Sequence, residues 1–153
     1  SYGIIAIPQT RKNGQLRTEG FRAAMKAAGV SKEVPMQQMK TFTADESFRF
    51  AQDMLTANPD LRLIFVQSDQ QAIGVARAVK AARRDGDVLV AAFDGTPELL
   101  QAITGGTAAK LLTAKLSGGN PPKEEMVEIM TVTKETAVSK AAQIKLNVFA
   151  NNP

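Results

Sequence analysis

Polar side chains follow each of four short apolar runs in this sequence. Asp94 comes directly after the run at 88–93 and precedes Gly95, Thr96 and Pro97, a combination typical of a turn that leads into a helix. Carboxylates and amides can hydrogen-bond neighbouring hydroxyl groups, and bonds to a carboxylate are stronger than neutral ones. These residue types favour a monosaccharide or a similar small polar ligand. The candidate ligand-binding residues are Asp94, Ser68, Gln15, Gln9, Asp69 and Asp45.

Three of the acidic or hydroxyl residues also have a purely structural interpretation. Asp45, Asp69 and Thr96 each stand near the start of a predicted helix, where such side chains cap the first turn. Capping is the favoured interpretation for Asp45 and Asp69. For Asp94, ligand contact is favoured, because Gly95 separates it from the next helix.

Apolar periodicity predicts the elements that would position these side chains. The predicted strands are 2–7, 34–41, 61–66 and 88–93, and the predicted helices are 14–28, 44–57, one ending near Arg84 and a short one from Pro97 to Gly105 and Gly106. Further along, 108–116 is predicted to be a helix and 126–132 a fifth strand. Because parallel neighbours need helical crossovers, the alternation predicts an α/β fold: a flavodoxin-like, doubly wound, mainly parallel five-stranded sheet with helices on both faces. Residues 1–137 would form one lobe and 138–153 a C-terminal helix or tail.

The carboxyl ends of the parallel strands should meet at one edge of the sheet, where such folds bind their ligands. The helix at 14–28 is predicted to bury one apolar face and to end at Gly29 as a C-terminal cap. That face consists of Leu16, Phe21, Ala24, Met25 and Ala28.

The composition excludes several classes of function. The chain has 153 residues and contains neither cysteine nor histidine, which removes thiol nucleophiles, imidazole or thiolate metal sites and the commonest general base. We therefore expect no enzyme activity, no metal and no cofactor. The net charge of +4 comes from basic residues spread along the chain between acids, so nucleic-acid binding is not expected. No apolar run has the length of a membrane span, and the N-terminus lacks a signal-peptide pattern.

A phosphate-related function is the alternative within the same fold class. The segment Arg11, Lys12, Asn13 and Gly14 leads into a helix N-terminus that could hold an anion. A small flavodoxin-like phosphoacceptor or enzyme would need clustered acids after the first strand, where this chain has Pro8-Gln9. No glycine-rich phosphate-binding motif is present.

Four segments together resemble the carboxy-terminal lobe of a type I periplasmic sugar-binding protein of the ribose-binding kind. They are Arg17-Thr18-Glu19-Gly20-Phe21, Met54-Leu55-Thr56-Ala57-Asn58-Pro59-Asp60, the segment from Ile64 to Gly74, and Phe93-Asp94-Gly95-Thr96-Pro97. The resemblance covers about residues 3–106 and resumes at 111–137. Repressors of the lactose-repressor type share a similar lobe but usually carry Asp-Asp at the positions of Asp94-Gly95. The resemblance therefore favours the transporter branch over an effector-binding lobe of a regulator.

The resemblance implies a two-lobed receptor that closes on a sugar, with Asp94 hydrogen-bonding the sugar hydroxyls. It also implies an ABC transporter permease as partner and a periplasmic parent protein. Gln15 stands where the family usually has an arginine ligand and Ser68 where it usually has asparagine, so the sugar is left open.

The N-terminal lobe of the family pattern is missing from this sequence, and the crossing between lobes after Gly106 is shortened. We therefore expect an isolated lobe with half of a binding site. An uncovered edge near Phe42 and Phe93 would favour self-association, whereas burial of both rings in the core would not. The second interpretation is preferred.

Overall fold

The computed structural model of the chain describes residues 1–94, together with the strands at 110–114 and 129–133. The strands are β1 (Tyr2–Ala6), β2 (Gln37–Gln38), β3 (Leu63–Val66), β4 (Leu89–Phe93), β5 (Lys110–Ala114) and β6 (Ile129–Thr133), and the helices are α1 (Lys12–Ala27), α2 (Ala44–Ala57) and α3 (Asp69–Ala81). The sheet order is β2-β1-β3-β4-β5-β6. All neighbours are parallel except β5 and β6, which are antiparallel. The predicted mainly parallel α/β fold is confirmed.

The sheet has six strands, so the predicted five-stranded count is wrong. Residues 108–116 were expected to be helical, but 110–114 form β5 between β4 and β6. A short apolar run such as Leu111-Leu112 suits a buried strand and a buried helix equally, and periodicity does not separate them. The expected strand at 126–132 is present as β6.

The sheet separates two apolar clusters, because side chains alternate between its faces along each strand. Ile5, Ile64 and Val90 belong to the cluster that also contains the buried side of α2 and α3. Ile4 and Phe65 belong to the cluster on the opposite face, against which Phe21 and Met25 of α1 pack. Helices therefore cover both faces, as predicted.

The N-terminal half of α1 is oriented differently from the prediction. Leu16 is 54% exposed, whereas Gly14 and Thr18 are the buried residues of this helix. Phe21 and Met25 continue that buried line, while Ala24 and Ala28 are exposed. The predicted inward positions of Leu16, Ala24 and Ala28 are therefore wrong.

The ends of the elements agree with their local sequence. Gly29, with a φ of +74°, terminates α1 as predicted: its N–H donates to Lys26 O and that of Val30 donates to Met25 O. The second strand is far shorter than predicted: only Gln37 and Gln38 pair with β1 as a strand, and Pro35 lies between them and the isolated bridge of Tyr2 with Glu33. None of the three described helices has the length and hydropathy needed to cross a membrane. The predicted helix from Pro97, the lobe boundary at 137 and the tail at 138–153 lie outside the described residues.

Candidate functional site

The polar segments after β1, β2, β3 and β4 lie at one edge of the sheet, which we call the carboxyl edge (residues 7–11, 39–43, 67–69 and 94). The parallel register places Ile5 beside both Gln37 and Val66, and Val66 beside Ala92. Met39 N donates to Ala6 O over 2.8 Å, so the loop after β2 continues along this edge. The convergence expected from the sequence is therefore present.

Asp94 and Asp69 are brought together at this edge. Asp69 is the first residue of α3 and only 6% exposed, while Asp94 is exposed and directly follows β4. Partial desolvation of the carboxylate raises the pKa of Asp94, the positive charge of Arg17 lowers it, and the negative charge of Asp69 raises it; the resulting pKa lies above the usual value. The backbone at Asp94 is left-handed (φ 72°), a conformation that aspartate tolerates better than most residues.

Arg17 is the residue that sequence reasoning missed at this site. Its Nη1 donates to Gln67 O over 2.6 Å, and its Cζ lies 3.7 Å from the centroid of the Phe93 ring. Burial lowers the pKa of the guanidinium, although the nearby charge of Asp94 raises it. Nε of Arg17 is buried and has no hydrogen-bond partner among the residues that the structure describes. The cluster thus carries two carboxylates and one guanidinium.

Gln9 and Gln15 lie together, but their amides serve the fold. Gln9 Nε2 donates to Ile7 O over 2.9 Å, and Gln9 Oε1 accepts from the hydroxyl of Thr18 over 2.8 Å. Gln15 Nε2 donates to Gln9 O over 2.9 Å. Gln67, fully buried, completes the network: its Nε2 donates to Thr18 Oγ1 and its Oε1 accepts from Ile7 N. This network fixes the loop after β1 against α1 and β3.

The remaining two predicted site residues, Ser68 and Asp45, occupy different surroundings. Ser68 occupies the N-cap position of α3 at the carboxyl edge, but its hydroxyl makes no capping hydrogen bond. Asp45 is exposed and pairs with Arg77 over 3.6 Å, joining α2 to α3 on the face opposite α1. The structure therefore does not bring Asp45 to the cluster of Asp94, Asp69 and Arg17.

The capping interpretation is wrong for Asp45; Asp69 is not the N-cap residue either, but its carboxylate accepts a hydrogen bond from a first-turn N–H. Thr43 is the N-cap of α2, where its side chain accepts from Glu46 N over 3.1 Å, and Asp45 is the second residue of the helix. Asp69 follows the N-cap Ser68, and its Oδ1 accepts from Gln70 N over 2.7 Å. Both carboxylates still lie in the first turn, where the helix dipole favours a negative charge.

The loop at 40–43 is held by side chains of α2 and α3. Glu46, 6% exposed, accepts backbone N–H bonds from Lys40, Thr41 and Phe42 over 2.8 to 3.0 Å. Gln71 Nε2 donates to the carbonyl of Phe42, whose backbone is left-handed with φ 57°.

The Phe42 ring packs partly against the core, with Arg11 Cζ 5.7 Å from its centroid. Phe93 is 6% exposed. The preferred interpretation, burial in the core, is therefore confirmed for Phe93, whereas Phe42 is only partly buried.

This arrangement supplies hydrogen-bond acceptors and one guanidinium. No group of three or more carboxylates with the spacing of a metal site occurs among residues 1–94. Two carboxylates beside a guanidinium suit hydroxyl groups, which can both donate to the acids and accept from the cation.

Residues 1–127 match the family model described as periplasmic binding protein domain. The chain is 35% identical over 107 residues to the ribose import binding protein RbsB of Escherichia coli strain K12, covering 70% of this chain and 34% of that protein. It is 29% identical over 135 residues to the D-allose-binding periplasmic protein of the same strain, covering 88% of this chain and 43% of that protein. The chain thus spans less than half the length of these curated relatives.

Among solved structures, an ABC transporter periplasmic solute binding protein from Actinobacillus succinogenes 130z with bound D-allose is similar, with a TM-score of 0.71 and 24% identity. The alignment covers 90% of this chain and 54% of that one. This likeness shows the fold.

Proposed function

Because the chain belongs to the periplasmic binding protein family, we propose that it forms one sugar-binding lobe of a receptor that delivers its ligand to an ABC importer. The relatives named above are binding proteins of transport and not enzymes. They favour the transporter branch over the regulator branch. The parent protein would work in the periplasm with a second lobe and a permease.

The observation that carries the proposal is the pairing of Asp94 and Asp69 beside Arg17 at the carboxyl edge. Each ionised carboxylate accepts several hydrogen bonds, so the pair can engage adjacent hydroxyl groups of one sugar ring. The raised pKa of Asp94 means that its acceptor form is lost at a higher pH than for an ordinary aspartate. Binding should therefore weaken as the pH falls through that raised pKa.

A single lobe offers one wall of a cleft. Ligand sites in proteins commonly bury 70–90% or more of the ligand, and one wall covers far less. We therefore expect a dissociation constant on the order of 1 mM or weaker for the chain alone. The sugar is left open, since Gln15 makes its hydrogen bond within the protein.

Calorimetric titration with a panel of neutral pentoses and hexoses tests the proposal. Asp94→Asn should lower the affinity about 10- to 100-fold, because hydrogen bonds to a charged group contribute roughly 1.5–3 kcal/mol. Asp45→Asn makes the same chemical change at an exposed acid outside the cluster, so it should bind as the original chain does. Equal loss in both variants, or no heat with any sugar, would contradict the proposal.

A further inference from the structure

Arg17 connects three elements at the carboxyl edge. It projects from α1, donates through Nη1 to the carbonyl of Gln67 directly after β3, and places Cζ 3.7 Å from the ring centroid of Phe93 in β4. A guanidinium is suited to this because its planar fork stacks on aromatic rings while still donating hydrogen bonds. Few other side chains could make both contacts at once.

The same residue supplies the positive charge beside the acid pair. The charged groups that act on Asp94 among the described residues are Arg17 from α1 and Asp69 from α3. Without Arg17, the negative charge of Asp69 would act on Asp94 unopposed in a partly desolvated place, which disfavours ionisation of Asp94.

We propose that Arg17 is a positioning residue of this site, which fixes the ends of β3 and β4 against α1 and holds a positive charge at the edge where Asp94 follows Phe93. This inference rests on the proposed function, because it assumes that the site binds a sugar. Its central consequence, the control of Asp94 by Arg17, is nevertheless measurable with no sugar present.

The unpartnered Nε of Arg17 supports this role. A buried donor without a partner destabilises the folded state, so other interactions of the same side chain must offset it. The stacking on Phe93 and the attraction to Asp94 are the offsetting interactions visible here.

The experiment is an NMR titration of the Asp94 carboxyl carbon in the full chain, in three proteins: the original chain, Arg17→Met and Arg22→Met. Arg17→Met removes the charge and keeps the apolar stem, so the pKa of Asp94 should rise further, since burial and Asp69 are then unopposed. Arg22→Met is the matched control: it also removes one charge from α1, but Arg22 pairs with Glu33 over 2.5 Å and does not act on Asp94. Its Asp94 titration should match that of the original chain.

If Arg17→Met does not fold, Arg17→Gln serves with the same expectation, because its amide retains a donor near Gln67 O. Sugar affinity in either folded variant should fall about 10-fold or more, as for loss of a charge-assisted contact. A folded variant in which Asp94 titrates as before would overturn the proposal, whether or not sugar binds. A raised pKa with no sugar binding in any protein would instead support Arg17 and refute the sugar-binding function.

Discussion

The carboxylate of Glu46 should stabilise this fold in a pH-dependent way. It is 6% exposed and accepts four hydrogen bonds: from the backbone N–H groups of Lys40, Thr41 and Phe42, and from the Thr41 hydroxyl. Burial alone would raise the pKa of Glu46, but these hydrogen bonds lower it more, so the pKa lies below the usual value.

Glu46→Gln keeps the shape and removes one acceptor oxygen. Oε1 accepts from Lys40 N, and Oε2 accepts from the other three donors. Whichever way the glutamine amide is turned, its NH2 group therefore meets at least one backbone N–H from which it cannot accept a hydrogen bond. One lost charge-assisted bond and one orphaned donor predict a destabilisation of about 2–4 kcal/mol at pH 7. Glu19→Gln makes the same change at an exposed site and should alter stability by less than about 0.5 kcal/mol.

Urea unfolding followed by circular dichroism measures both variants. Because the folded pKa is depressed, the contribution of Glu46 is present above its unfolded pKa of about 4.3 and is lost as the pH falls through the folded value. The difference between the original chain and Glu46→Gln should therefore narrow below that pH. Equal unfolding midpoints for Glu46→Gln and Glu19→Gln at pH 7 would refute the reasoning.

Two further predictions concern backbone packing and helix termination. Gly74→Ala would place a Cβ 2.0 Å from Ala44 O where α2 and α3 pack, so it should destabilise the fold by about 3 kcal/mol in urea unfolding. In Gly20→Ala on α1 the added Cβ has no atom within 4 Å, so this substitution should stabilise the fold by roughly 0.5–1 kcal/mol. Equal effects of the two substitutions on stability would contradict the packing argument. Arg83 follows α3 with φ 55°, the conformation of Gly29 after α1, so Arg83→Gly should raise the thermal midpoint while Arg83→Ala should not.

The sheet edge could be predicted from the sequence because each strand ends where an apolar run meets polar residues. Asp94 and Asp69 were placed correctly by that rule, since parallel strands bring such ends together. The strand at 110–114 could not be predicted, because its apolar pair has no period that distinguishes strand from helix.

Arg17 and Gln9 show what sequence patterns cannot provide. Arg17 occupies an ordinary position in an amphipathic helix, and its contact with Phe93 depends on how α1 lies on the sheet. Gln9 has the right chemistry and place for a ligand contact, but its amide bonds to Ile7 and Thr18 are set by packing within the fold. Only the tertiary arrangement decides which polar groups at an edge are left for a ligand.

The binding edge itself is tested most directly by mapping amide chemical shifts during titration of the labelled chain with neutral monosaccharides. The account predicts that the largest changes fall at Gln67, Ser68, Asp69 and Asp94, with little change at Asp60 and Arg62 before β3. Changes concentrated at that opposite end of the strands, or none with any sugar at concentrations well above 1 mM, would contradict it.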